Sequence, residues 1–206
     1  MTPTKREQKR QDLLRATSQV IGEHGFSGVS VRAVAARAQV SVGSVLYHFD
    51  SFDALLETAI RGAIDEFIDR RRQLAEQHAD PTSRLRATID AGIPETISDD
   101  LRVVYEASAI LRERPHLRTH ITVLLERQVA LYSTIIQVGT ALGEFRPRMD
   151  VEAIAQNLVA LEDAYDLYLL DPDNWQRERY FANTLAFAEV ALDVSLTPDA
   201  KDAAHD

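Results

Sequence analysis

The chain of 206 residues has no cysteine. That excludes disulfides, thiol nucleophiles and thiolate metal sites, and it fits a reducing compartment. No apolar run approaches the roughly 18 residues that a membrane span needs. The opening MTPTKREQKR lacks the apolar segment of a secretory signal. A soluble, cytoplasmic protein is therefore expected. Enzyme signatures are missing too: there is no G-x-S-x-G elbow, P-loop or dinucleotide fingerprint. His116 and His120 stand four apart, as two metal ligands could on a helix, but no H-E-x-x-H glutamate accompanies them and two histidines leave a zinc site incomplete. Glu162/Asp163 and Asp99/Asp100 are sequence neighbours, so on a helix they point in different directions and form no catalytic dyad. No catalytic residue, metal or cofactor is expected.

What is present is helix-forming sequence with a lopsided charge. Hydrophobic residues make up 45% and charged residues 27%, enough apolar content for a core. The net charge is −9. Up to Phe49, however, seven basic residues (Lys5, Arg6, Lys9, Arg10, Arg15, Arg32, Arg37) face three acidic ones, a net of +4 that leaves −13 for the remainder. A basic quarter joined to an acidic body suggests that the first meets a polyanion while the second does something else.

Helical periodicity covers nearly the whole chain, and no strand signal, repeat or low-complexity tract interrupts it. Thr4 and Glu7 can form a capping box, and Leu13, Leu14, Thr17, Val20 and Ile21 follow on one face. Gly25 is the expected stop, with Gly28 in the turn. Ser30 can cap a second helix with Val31, Val34, Ala35 and Ala38 inward. Gln39-Val40-Ser41 is a break, and a short third helix covers about 42–49. Ser51 caps a long helix with a regular apolar stripe from Phe52 to Ile68. Arg70, Arg71 and Arg72 near its end suit the helix dipole. Asp80-Pro81 opens another helix. Further helices are expected over about 99–113, 115–142, 151–170 and 174–196, about nine in all. The fold class is all-α.

Three short helices with a tight break before the third make a helix-turn-helix. Ala35 is small where two helices must approach, and Val40 and Val45 fill the core. Ser44, Tyr47 and His48 then face outward on a probe that fits the DNA major groove. Ser41 places the start of that helix toward a phosphate. Arg32 and the basic first helix supply counterion release.

These residues resemble the TetR-type bacterial transcriptional regulators. The matching pieces are HGFSGVSVRAVAARA (24–38), VSVGSVLYHF (40–49) and SFDALL (51–56). Three positions depart from the pattern: Gln39 replaces a turn glycine, Leu46 a tyrosine and Phe52 a lysine. The tyrosine commonly touches backbone phosphate in the family. The resemblance implies an N-terminal helix-turn-helix domain (1–50) and a larger effector-binding and dimerisation domain (51–206). It implies a homodimer on a palindromic operator in double-stranded DNA, acting as a repressor released by a small-molecule effector. The expected DNA-contacting residues are Ser30, Arg32, Ser41, Gly43, Ser44, Tyr47 and His48.

Polar groups misplaced on apolar faces suggest an effector pocket: Tyr105, Glu106, Gln128, Tyr132, Glu162 and Tyr165, with Glu162 able to pair with Arg127 or with a cationic ligand. The last two long helices are the expected dimer interface, through Leu158, Leu161, Leu185, Ala188 and Leu192 in a four-helix bundle. The alternatives are a ligand-binding helical protein with degenerate DNA readout or, less favoured, a metal-dependent enzyme.

Overall fold

A computed structural model describes residues 4–96, 98–109, 118–166, 168 and 175–196, without the side chains of 99, 100, 108 and 109. Nine helices and no strand occur among them: α1 (Lys5–Gly28), α2 (Val31–Arg37), α3 (Val42–His48), α4 (Phe52–Glu76), α5 (Pro81–Gly92), α6 (Asp99–Ala109), α7 (Arg118–Ala141), α8 (Val151–Asp166) and α9 (Arg177–Leu192). His116 lies outside the described residues. No group of three or more potential ligands that could hold a metal occurs among those described. Nor is any helix there long and apolar enough to cross a membrane.

The chain forms two compact units. The first joins Met1–Phe67 to Ile97–Leu124; the second joins Ile68–Thr96 to Leu125–Asp206. Each has a core of its own.

Local chemistry explains the first unit. Thr4 and Glu7 form the reciprocal capping box of α1. The helix does not simply stop at Gly25. That glycine adopts φ +64 and kinks the chain, and a final turn runs on to Gly28. Phe26 N–H, released by the kink, donates to Glu106 Oε2 of α6 at 3.2 Å. Ser30 Oγ accepts from Ala33 N–H at 3.2 Å to start α2. Leu13, Ala16, Val34, Ala35, Val45, Phe49 and Leu55 make one buried cluster, with Phe52 packed against it. Burial of a Val, Leu or Phe side chain is worth about 1.5–3 kcal/mol. That is what holds α2 and α3, at seven residues each, since helices this short are unstable alone.

In the second unit, Asp80 Oδ1 accepts from Ser83 N–H at 2.7 Å, and Pro81 occupies the first turn of α5. The core draws Leu85 and Ile89 from α5, Tyr132 and Ile136 from α7, Ile154 and Leu158 from α8, and Ala188 and Leu192 from α9. After α7 the chain turns through Gly143 (φ +79). It is then tied to the end of α9: Arg146 N–H and Arg148 N–H donate to the Leu192 and Ala191 carbonyls at 2.7 and 2.8 Å.

Candidate nucleic-acid interface and buried polar cluster

The break before α3 is a three-residue turn. Gln39 adopts φ +54, the left-handed region that favours glycine. Ser41 then caps α3, its Oγ accepting from Ser44 N–H at 3.1 Å. The hydroxyls of Ser30 and Ser41, expected at the DNA surface, thus already serve as helix caps. Both residues remain exposed.

Val45 is the buried anchor of α3. The opposite face is open. Tyr47 is 72% exposed and Leu46 48%, while Ser44 and His48 are half-buried. A Cβ added at Gly43 would meet only Ser41 Oγ, at 3.8 Å, so internal packing does not require the glycine. Arg32 is exposed at the start of α2. Arg37, by contrast, is committed within the fold: its Nη1 donates to Glu23 Oε1 at 2.8 Å. The resulting face carries hydroxyls, an imidazole and a cation. α3 rises about 10 Å over its length, against a major groove roughly 12 Å wide.

The positions expected to bind an effector separate. Tyr105 and Glu106 belong to the first unit, where Glu106 receives the Phe26 N–H and lies within 3.0 Å of where a Gly25 Cβ would stand. Gln128, Tyr132, Glu162 and Tyr165 belong to the second. Three of these four converge on a residue read from sequence as a helix-dipole cation. Arg71 is turned inward from α4 and buried. Its Nη2 lies 2.9 Å from Glu162 Oε1, and its Nη1 donates to Gln128 Oε1 at 2.8 Å. Nη2 also reaches the Thr88 carbonyl and the Tyr132 hydroxyl at 3.0 and 3.1 Å. The Tyr132 hydroxyl donates to Glu162. Arg127, the partner expected for Glu162, lies instead 3.9 Å from Asp69.

Burial raises the Glu162 carboxyl to about 7, against the opposing pull of the Arg71 guanidinium and the tyrosine hydrogen bond. The Tyr132 hydroxyl is also pushed up by burial. Tyr165 stands apart, stacked on Tyr180 with ring centroids 4.5 Å apart. Sequence reasoning missed Arg71. The available signal was its register: it lies three residues beyond Ile68, on the continuation of the apolar stripe.

Most of the residues expected as dimer contacts point into their own unit. Leu158, Leu185, Ala188 and Leu192 are buried in the core of their own unit, because the apolar stripes of α8 and α9 face inward. Leu161 is half-buried. The exposed residues of these helices include small ones, Asn157, Ala160 and Ala164 on α8 and Ala182 and Ala186 on α9, beside Gln156, Asp163, Arg179 and Asn183. Val190 of α9 is 73% exposed.

Comparison with known proteins agrees with this architecture. A family model described as "Bacterial regulatory proteins, tetR family" matches residues 13–59. Over 155 residues the chain is 26% identical to the HTH-type transcriptional repressor KstR2 of Mycolicibacterium smegmatis, covering 74% of this chain and 75% of the relative. It is 38% identical over 94 residues to the HTH-type transcriptional regulator BetI of Burkholderia cenocepacia, covering 44% of this chain and 47% of that one. A crystal structure of a TetR transcription regulator from Haloarcula marismortui has the same fold. Its TM-score is 0.80 at 19% identity, covering 90% of this chain and 98% of that one.

Proposed function

Since the chain belongs to the TetR family of bacterial regulatory proteins and is a DNA-binding transcription regulator, we propose that it represses from a palindromic operator as a homodimer and is released by a small effector. The observation that carries this reading is the open face of α3, with Ser44, Tyr47 and His48 beside Gly43 and Arg32. A single helix of this length reads only a few bases, so two copies related by a two-fold axis are needed to read two half-sites.

The dimer surface is the outward face of α8 and α9: Asn157, Ala160 and Ala164 with Ala182, Ala186 and Val190. Small side chains let helices approach closely, and a symmetric pair of helix pairs makes a four-helix bundle.

The effector acts on the second unit through Gln128, Tyr132 and Glu162, joined to Arg71. Burying an ion pair rarely adds stability over an apolar replacement, so a second role accounts better for its cost. An effector that offers Arg71 or Glu162 a better partner favours a different arrangement of this unit. By linkage it then weakens DNA binding by the same coupling free energy.

Selection of bound duplexes from a random pool by the purified protein tests the reading. The expected result is an enriched palindrome with half-sites one to two turns apart. Enrichment of a single, non-repeated site refutes the dimeric reading. No enrichment, even at low salt, refutes sequence-specific regulation and leaves only the ligand-binding alternative.

A further inference from the structure

A cleft between α4, α5 and α7 of the second unit has a chemistry that core packing does not use. Its volume is about 350 Å³, and its lining includes Arg72, Arg84 and Arg127 with a single carboxylate, Glu76. The floor is apolar, with Ile68 and Ile135 buried there. The neighbouring groove, between α7 and α8, has the opposite sign: Glu126, Glu152 and Asp163 line it, with no cation. The arginines are thus gathered on one side of α7, in a chain whose net charge is −9. The three guanidiniums are held differently. Arg72 Nη2 lies 2.6 Å from Asp69 Oδ1, and Arg127 Nη2 lies 3.9 Å from the same oxygen. Arg84 has no carboxylate partner among the described residues. Its Nε donates to the His78 carbonyl at 2.8 Å, which orients the half-buried side chain. Both of its Nη groups meet no acceptor among the described residues.

We propose that this cleft binds a compact organic acid, its carboxylate on Arg84 and Arg127 and its apolar body on the floor at Ile68 and Ile135. A guanidinium presents a flat fork of N–H donors that matches a carboxylate with two parallel hydrogen bonds. Arg84 is pinned at Nε, so the fork formed by its Nη groups is oriented in advance and costs little to order. An inorganic anion would use the arginines and leave the floor in water. A neutral apolar ligand would use the floor and leave the guanidiniums unpaired. A ligand with both parts uses the whole lining. The volume is near the lower end of the roughly 300–1,000 Å³ of small-molecule sites, which keeps the ligand small. The cleft also backs onto the buried cluster. Arg72 and Arg127 are the sequence neighbours of Arg71 and Gln128, which bond across the same two helices at 2.8 Å. An acid that draws Arg72 and Arg127 from Asp69 therefore acts on α4 and α7 beside that bond. The inference deepens the effector reading by naming a ligand class, and the binding itself does not require DNA.

Calorimetric titration of the full-length protein tests it, with hexanoate and phenylacetate, their neutral amides hexanamide and phenylacetamide, and sulfate as probes. At least one acid is expected to bind at millimolar concentration or below, about tenfold more tightly than its amide. Sulfate should bind about tenfold more weakly than that acid, because it leaves the apolar floor unused. Arg84→Gln and Arg127→Gln should each weaken the acid about tenfold. Arg84→Lys, which keeps the charge and loses the fork, should fall between Arg84→Gln and wild type. Thermal melting checks that every variant folds. No acid bound at millimolar concentration overturns the proposal. So does an acid that binds no better than its amide or than sulfate, or whose affinity is unchanged in both glutamine variants. The bound acid is then added to the protein on its enriched duplex. Binding in the cleft that leaves DNA affinity unchanged upholds the site and refutes its role as the effector site.

Discussion

Arg71 Nη2 and Glu162 Oε1 lie 2.9 Å apart inside the second unit, with side-chain exposures of 3% and 2%. Removing one partner strands a buried charge, at a cost of about 3–5 kcal/mol. Arg71→Leu and Glu162→Leu are each expected to destabilise by about that amount, and the double substitution by much less than their sum. Urea denaturation of the three variants measures the coupling.

The same carboxyl sets a pH dependence. Its folded value, about 7, lies above the ordinary 4.5. The folded state therefore holds a proton that the unfolded state has released between those values. The resulting stability is fully present below about 4.5 and is lost as pH rises to about 7. The change is on the order of 3 kcal/mol. Melting temperature should fall across that window and level off above it. Glu162→Gln, which cannot titrate, should flatten the profile.

Two glycines separate packing from propensity. A Cβ at Gly92 would run into the Glu162 carboxylate, whereas a Cβ at Gly62, in the middle of α4, meets nothing within 4 Å. Gly92→Ala is expected to cost several kcal/mol. Gly62→Ala is expected to gain about 0.5–1 kcal/mol. Thermal unfolding of the pair checks both signs.

The turn before α3 should tolerate improvement. Gln39 sits at φ +54, where an L side chain costs roughly 1–2 kcal/mol, while glycine is free but more flexible when unfolded. Gln39→Gly should stabilise by about 0.5–1 kcal/mol in chemical denaturation.

Val190 is exposed on α9. Val190→Asp should leave the monomer folded and shift sedimentation from dimer to monomer, with loss of operator binding. An unchanged sedimentation coefficient would remove this face from the proposed interface.

Much of the fold was legible in local chemistry. The Thr4–Glu7 box, the Ser30 and Ser41 caps and the Asp80-Pro81 start are short-range signals, and the structure uses each of them. The exposed face of α3 was legible because Val45 must point inward, which leaves Tyr47 out. The buried cluster was half legible. Glu162 and Gln128 stood out on apolar stripes, but their common partner lies 91 and 57 residues away in sequence. Arg71 is also flanked by two other arginines, so only its register, three residues beyond Ile68, distinguishes it. The burial of Leu158, Leu185, Ala188 and Leu192 within their own unit was not legible for a related reason. Periodicity locates the stripe that is buried, and it is silent on whether that stripe is buried against its own chain or against another.

The hydrogen bond from Phe26 to Glu106 joins residues 80 apart in sequence. The end of α1 is therefore completed by a helix that the chain reaches only much later. A chimera that grafts residues 1–50 onto a foreign body would leave the Phe26 amide without its acceptor and Gly25 without the carboxylate beside it. The DNA-reading head is contiguous as a sequence motif but not as a transplantable part. A functional graft has to carry α6 with it.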